Sequence, residues 1–264
     1  MPKETRPPVP EPSKASGAKK CVNCSHPLGD GDYCPACGQR QRSGRLTFQG
    51  IARRAVADGF SLDRGFFYTL VALTRRPGEV AKDFVAGRTA PYTSPIRYFL
   101  VCLAVAQLVA FWTEAIQGFV EGFTEGNRDV SLNAKEGSKL LGDYFVLMAA
   151  GVLPLVVFAT RLLLRRARFN IAEHMVFHLY TAGHSALCLA VGLVSAKLLP
   201  DPAEGFVVVV VLLAMLVNYV ASVRAFFEIS KLRAVLVTAL AFGLGGLAYT
   251  LLMSMVLVSG NPSP

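Results

Sequence analysis

The chain has 264 residues, of which 53% are hydrophobic and only 17% are charged, and its mean hydropathy is +0.43. Soluble domains are about 45–50% apolar and about 25% charged, so this composition excludes an ordinary soluble domain and favours a large membrane part. The formal net charge of +9 lies mostly beside apolar runs, where membrane orientation explains it, so we do not expect nucleic-acid binding.

The first twenty residues contain several prolines and basic residues but no apolar stretch. Residues 1–20 are therefore predicted to be a disordered tail, and they lack the apolar core of a signal peptide. The first apolar span is expected to act as the insertion signal.

Residues 21–40 contain two Cys-x-x-Cys pairs, formed by Cys21 with Cys24 and by Cys34 with Cys37. Four thiols at this spacing are typical of a tetrahedral structural zinc site, so this segment is predicted to be a zinc ribbon. The alternative is a pair of local disulfides, which a cytosolic location disfavours, or a redox site. Because a ribbon presents a small rigid surface, we expect a cytosolic protein partner for it.

Residues 46–95 are predicted to form short amphipathic helices. Their apolar runs are too short to cross a bilayer, so they either lie in the cytoplasmic membrane interface or fold back on the spans. Arg88 and Arg97 flank the entry to the first span, where they would contact the headgroups of anionic lipids or simply anchor the topology.

Residues 96–260 are predicted to be a transmembrane bundle, which makes the protein an all-α polytopic membrane protein with about five spans. The spans are expected at about 98–116, 144–164, 175–199, 206–223 and 234–258. Basic connections alternate with acidic or neutral ones, so the N-terminus is predicted to be cytosolic and the C-terminus external. In span five, Ala239 with Gly243 and Ala241 with Gly245 permit close packing, either within the chain or in a homodimer.

Several segments together resemble a known family: "YCPACGQ", "TLVALTRRPG", "AGRTAPY" and "AEHMVFHLY". In this order they resemble a bacterial family of integral membrane proteins described only as a domain of unknown function, family 3667. The resemblance covers residues 21 to about 100 and again 170–180. It implies a bacterial inner-membrane protein with a cytosolic zinc ribbon, and it brings no known activity or catalytic residue.

Span three contains His178 and His184, and His174 lies directly before it. His174 and His178 share one helix face, on which further polar residues follow, and His184 lies off this stripe. Three interpretations remain open: packing with hydrogen bonds to neighbouring helices, a proton or ion path, and a metal site at His174 and His178. Asn218 of span four is expected to reach the stripe, whereas Glu173 is expected to cap the helix with Asn170.

The sequence contains no nucleophile motif, phosphate loop or dinucleotide-binding fingerprint. The favoured function is a non-enzymatic scaffold or recruitment protein. The alternative is a small transporter of an ion, metal or lipid that uses the histidine stripe, and a membrane enzyme is the less favoured third possibility.

Overall fold

The computed structural model describes residues 19–29, 31–41, 45–58, 64–114 and 151–259. Within these ranges the extended elements are isolated bridges, and all longer regular elements are helices, which confirms the predicted all-α class. The predicted tail, the end of span one and the start of span two lie largely or wholly outside the described residues.

The described helices run in chain order from the ribbon to the C-terminus. They are α1 (Phe48–Asp58), α2 (Arg64–Arg75), α3 (Glu79–Val85), α4 (Pro95–Trp112), α5 (Gly151–Leu163), α6 (Ile171–Lys197), α7 (Asp201–Phe227) and α8 (Lys231–Ser259).

Four stretches within the described ranges are long and apolar enough to cross a membrane. They are Pro95–Trp112, Ile171–Lys197, Gly205–Phe227 and Lys231–Tyr249, and they correspond to predicted spans one, three, four and five. Helix α5 is apolar but shorter, and it coincides with the C-terminal part of predicted span two. These helices are compatible with a multi-pass membrane protein.

Small residues allow the long helices to approach closely. A Cβ atom at Gly183 of α6 would lie 3.0 Å from the Cα atom of Phe99 in α4, so these two backbones are in contact there. In α8, a Cβ at Gly245 would lie 2.8 Å from Val156 of α5, whereas Gly243 faces open space. One of the two predicted small-residue faces therefore packs inside the chain, and a homodimer through the other stays a prediction.

Helix α3 packs on the N-terminal part of α6 and the C-terminal part of α7, and α2 packs on α3 and α6. Val80, Ala81 and Phe84 are at most 1% exposed, because α3 is wedged against these long helices. The turn before α3 needs glycine, since Gly78 has a φ of 82° and a Cβ there would clash with the carbonyl oxygen of Ser222. The apolar inner side of this segment is thus folded back on the bundle.

The N-terminal segment and two helix connections meet at one end of the bundle. Arg45 forms an ion pair with Glu173 at the start of α6, and Lys82 of α3 pairs with Glu228 after α7. The side-chain amide of Asn170 donates to the carbonyl of Leu46 at 3.1 Å. The α5–α6 and α7–α8 connections therefore lie on the same side as the ribbon, as the predicted alternation of loops requires.

Candidate metal centre and buried histidines

The four cysteines of the ribbon form one compact cluster of sulfur atoms. All four Sγ atoms lie within 4.8 Å of one another. The Sγ atoms of Cys21 and Cys37 are 3.6 Å apart, as are those of Cys24 and Cys34. Four sulfurs at about 2.3 Å from a tetrahedral metal are separated by about 3.8 Å, so this cluster has the size and ligand set to hold a metal ion.

Local backbone geometry brings each cysteine pair into place. In both pairs the residue after the second cysteine has a positive φ, 62° at Ser25 and 70° at Gly38. Each turn is closed by backbone hydrogen bonds of 2.8–2.9 Å around its first cysteine. Hydrogen bonds from the side chain of Asn23 and the backbone of Gln39 lower the pKa of Cys37 to about 6. The backbone of His26 lowers the pKa of Cys24, but the neighbouring thiols and burial outweigh it and raise that pKa to about 12.

A buried glutamine of the ribbon binds the loop before α4, residues 86–94, which is called the entry loop below. Gln39 is 3% exposed, and its Oε1 accepts hydrogen bonds from the backbone amides of Thr89 and Ala90 at 2.9 Å each. Its Nε2 donates to Thr89 Oγ1 at 3.1 Å and to the Arg40 carbonyl at 2.9 Å. The segments "CGQ" and "AGRTAP", which help to form the family resemblance, are therefore in direct contact.

A second attachment lies just after the ribbon. Arg45 donates from Nε and Nη2 to both carboxylate oxygens of Glu173, at 3.1 and 2.8 Å. This bidentate contact raises the pKa of Arg45. Glu173 also forms the predicted capping box: its backbone amide donates to Asn170 Oδ1 at 2.9 Å, and its Oε2 accepts from the Asn170 amide at 2.7 Å.

His178 is the centre of a hydrogen-bonded chain across three helices. Tyr219 Oη lies 3.1 Å from Nδ1 of His178, and Thr160 Oγ1 lies 2.8 Å from its Nε2. The Thr160 hydroxyl also lies 2.9 Å from the carbonyl of Val156, to which it can donate its one proton. A neutral His178 that donates from Nε2 and accepts at Nδ1 therefore satisfies every member of the chain.

The other two histidines of α6 have different surroundings. His184 Nδ1 lies 3.3 Å from the buried hydroxyl of Tyr98. His174 is fully buried beside Phe227, and its ring nitrogens have no hydrogen-bond partner among the described residues. The expectation that Asn218 reaches the histidine stripe is wrong, because the neighbouring Tyr219 reaches His178 instead.

The histidines do not assemble a ligand set in the part of the chain that the structure describes. Among the described residues, a metal site would need three or more His, Cys, Asp or Glu side chains close together, and the four cysteines are the group that meets this condition. His178 uses both nitrogens for hydroxyl groups, and Glu173 is engaged by Arg45 and its own helix cap. His178 and His184 each lie within hydrogen-bonding distance of hydroxyl groups on neighbouring helices, and the packing, transport and metal interpretations stay predictions.

The two arginines at the membrane entry occupy different environments. Arg88 pairs with Asp83, which also accepts a 2.9 Å hydrogen bond from the hydroxyl of Tyr92. Burial, and next the bond to Asp83, raise the pKa of Tyr92 to about 12. Arg97 is only 4% exposed, so a lipid headgroup would have to enter the bundle to reach it. Headgroup contact by these two residues stays a prediction.

A crevice of about 510 Å³ opens between α5, α6, α7 and α8. Its walls are mostly apolar, but His178, Thr181, Ser185 and Tyr219 contribute polar groups to them. The polar side of α6 therefore borders a space that is large enough for a small molecule.

The comparisons with known proteins agree with the resemblance in the sequence. A family model described as "Protein of unknown function (DUF3667)" matches residues 63–106, which run from α2 into α4, so this resemblance is confirmed over that segment. No curated protein and no solved structure matches the chain.

Proposed function

We propose that the chain is a non-enzymatic protein of a bacterial inner membrane that presents a structural zinc ribbon in the cytosol for recruitment of a partner protein. The closed set of four thiols is the observation that carries this proposal. Four cysteines complete a tetrahedral zinc shell and leave no open position for water or substrate. Zinc would then stabilise a segment too short to have a core of its own.

The proposed orientation follows from charges at the end where the ribbon lies. The α5–α6 connection and the helix ends on either side of the α7–α8 connection are rich in basic residues, whereas the first turn of α7, at the other end of the bundle, contains Asp201 and Glu204. Basic connections stay in the cytosol, so the ribbon and N-terminus would be cytosolic and the C-terminus external. The basic residues are Arg165, Arg166, Arg168, Arg224, Lys231 and Arg233.

The two attachments of the ribbon suit a docking platform. Gln39 holds the ribbon to the loop before α4, and Arg45 holds the following segment to α6. A partner that binds the ribbon would therefore bind a surface of fixed position relative to the membrane. Tyr33 projects from this surface with 60% of its area exposed.

The recruitment proposal can be tested by photo-crosslinking in intact bacteria. A photoreactive residue at Tyr33 should give a discrete protein adduct, and Cys34→Ser/Cys37→Ser in the same chain should abolish it. The same probe at Phe158, which is 63% exposed on α5, provides a matched exposed control away from the ribbon. An adduct at Tyr33 that survives loss of the two thiols would contradict recruitment by the folded ribbon.

The crevice beside His178 favours a small transporter as the second candidate function. Its polar wall and its volume of about 510 Å³ are the specific observations for this candidate. In proteoliposomes with internal dyes for protons and for Zn²⁺, a transporter should show flux that His178→Leu abolishes. Ser195→Ala is the matched control on α6, because this exposed hydroxyl bonds only within its own helix. A scaffold should show no flux above that of empty liposomes.

A further inference from the structure

A cleft of about 640 Å³ separates the ribbon from the C-terminal end of α3. Lys19, Lys20 and Arg40 line it, and Asp32 is the one carboxylate among its lining residues. None of these three cations forms an ion pair with a carboxylate that the structure describes. Counted over its lysine, arginine and aspartate side chains alone, the described lining of the cleft has two more positive than negative charges.

The length of α4 places this cleft relative to the membrane. Helix α4 has 18 residues, which corresponds to about 27 Å and nearly equals the hydrocarbon thickness of about 30 Å. Pro95, its first residue, must then lie near the hydrocarbon boundary. Gln39 binds the amides of Thr89 and Ala90, only a few residues earlier, so the ribbon rests against the headgroup layer.

The outer side of α2 is a second, independent indication that this end of the bundle lies at the headgroup layer. Phe67, Tyr68 and Val71 are 59%, 49% and 48% exposed, although the opposite side of α2 is buried. The ring of Tyr68 lies 5.7 Å from that of Tyr92, in the loop that receives the ribbon. An exposed aromatic face that ends in Arg75 is typical of a helix lying in the membrane interface.

We propose that the cleft between the ribbon and α3 binds the phosphate of an anionic phospholipid from the adjoining leaflet. Lys19, Lys20 and Arg40 would donate charge-assisted hydrogen bonds to the phosphate oxygens, while Val22 and Val85 border the space for the glycerol. The headgroup layer supplies this phosphate within reach of the long basic side chains. The proposal rests on the membrane placement proposed above and on neither the metal's identity nor a protein partner.

Native mass spectrometry of the full chain in mixed micelles tests this proposal. The micelles would contain equal amounts of phosphatidylglycerol and phosphatidylcholine. Wild type should retain about one phosphatidylglycerol with preference over phosphatidylcholine. Each basic residue near a membrane surface contributes about fivefold to binding of anionic lipid, so Lys20→Gln/Arg40→Gln should weaken this retention about 25-fold. Unchanged metal content and melting temperature would show that this variant is folded.

The control variant is Arg165→Gln/Arg166→Gln, which removes the same charge from exposed positions on the same side of the bundle. It should retain phosphatidylglycerol as wild type does. Equal retention by all three proteins, or equal loss in both variants, would overturn the proposal. Displacement of the lipid by millimolar inorganic phosphate would assign the cleft to free phosphate and would also overturn it. A wild-type chain without metal would contradict the zinc ribbon, and the ratio of the two lipids would still report on the cleft.

Discussion

Replacement of Gln39 by alanine should release the ribbon from the membrane bundle without removing its metal. Gln39→Ala deletes the acceptor for two backbone amides and the donor to the hydroxyl of Thr89. Thr89 is 1% exposed, whereas Ala90 is exposed, so water can replace the lost bond at Ala90 more easily. A buried group left without a partner costs about 1–3 kcal/mol, which gives a total of about 2–4 kcal/mol for the variant.

Hydrogen exchange in detergent measures this release directly. A loss of about 2–4 kcal/mol corresponds to about 30- to 1,000-fold faster exchange of the Thr89 and Ala90 amides. The cysteine cluster does not include Gln39, so metal content per chain should stay at the wild-type value. Mass spectrometry of a peptide that covers residues 86–92 can report the rate.

Gln41→Ala is the matched control. Its side chain donates to the carbonyls of Gly29 and Gly31 inside the ribbon, and among the described residues it forms no hydrogen bond with the entry loop. It should leave exchange at residues 89 and 90 unchanged. If Gln39→Ala also left this exchange unchanged, the docking of the ribbon through Gln39 would be refuted.

Three further changes have calculable outcomes. Gly78→Ala should destabilise the protein by about 2 kcal/mol or more, because a Cβ there meets the Ser222 carbonyl at positive φ, as denaturation in detergent can measure. Thr160→Val should cost about 0.5–2 kcal/mol in the same assay, since His178 Nε2 loses its partner. Tyr92→Phe should reduce the loss of melting temperature as the pH rises from 10 to 12, because the raised pKa of Tyr92 makes its stabilising effect disappear over that window.

Matched substitutions separate these effects from general damage. Gly243→Ala adds the same methyl group where the structure shows open space, so it should change stability by less than about 0.5 kcal/mol. Thr113→Val removes a hydroxyl that bonds only to carbonyls of its own helix, and it should be equally mild. If Gly78→Ala and Gly243→Ala lowered stability equally, the contact of Gly78 with Ser222 would be contradicted. Equal losses for Thr160→Val and Thr113→Val would contradict the bond to His178, and an unchanged alkaline transition in Tyr92→Phe would contradict the raised pKa of Tyr92.

The features that the sequence predicted well are those that short-range chemistry determines. Two Cys-x-x-Cys turns need only a few residues each, and their sulfur atoms do cluster. The cap formed by Asn170 and Glu173 spans one helical turn and is present as predicted. Long apolar runs determine membrane helices by length and composition alone, which is why four of the expected spans were identified.

Contacts between distant segments could not be predicted in the same way. Gln39 and Thr89 are fifty residues apart, and nothing in the composition of either segment indicates that they touch. Helical periodicity gives the face on which His178 lies but not the residues of other helices that approach it. For this reason Thr160 was not anticipated, and Asn218 was expected where Tyr219 lies, a difference of one residue and about 100° around the helix.

The short helices show the same division between local and long-range information. The amphipathic pattern of α2 predicted a helix with one apolar face, and the structure contains that helix. The pattern did not reveal that α2 has apolar residues on two sides, one of which packs on the bundle while the other is exposed. Phe66 and Leu73 pack on the bundle, while Phe67 and Val71 point outward. Only the position of α2 against the other helices separates these two roles.

Whether the four ribbon cysteines hold the protein's metal ion can be decided by elemental analysis of metal content per chain, on protein purified in mild detergent. We expect about one zinc in wild type, none in Cys34→Ser/Cys37→Ser, and about one in His174→Ala/His178→Leu. This result would place the metal in the ribbon and leave the histidines metal-free. A metal that survives loss of the two thiols and disappears with the histidines would contradict the account and assign the metal centre to α6.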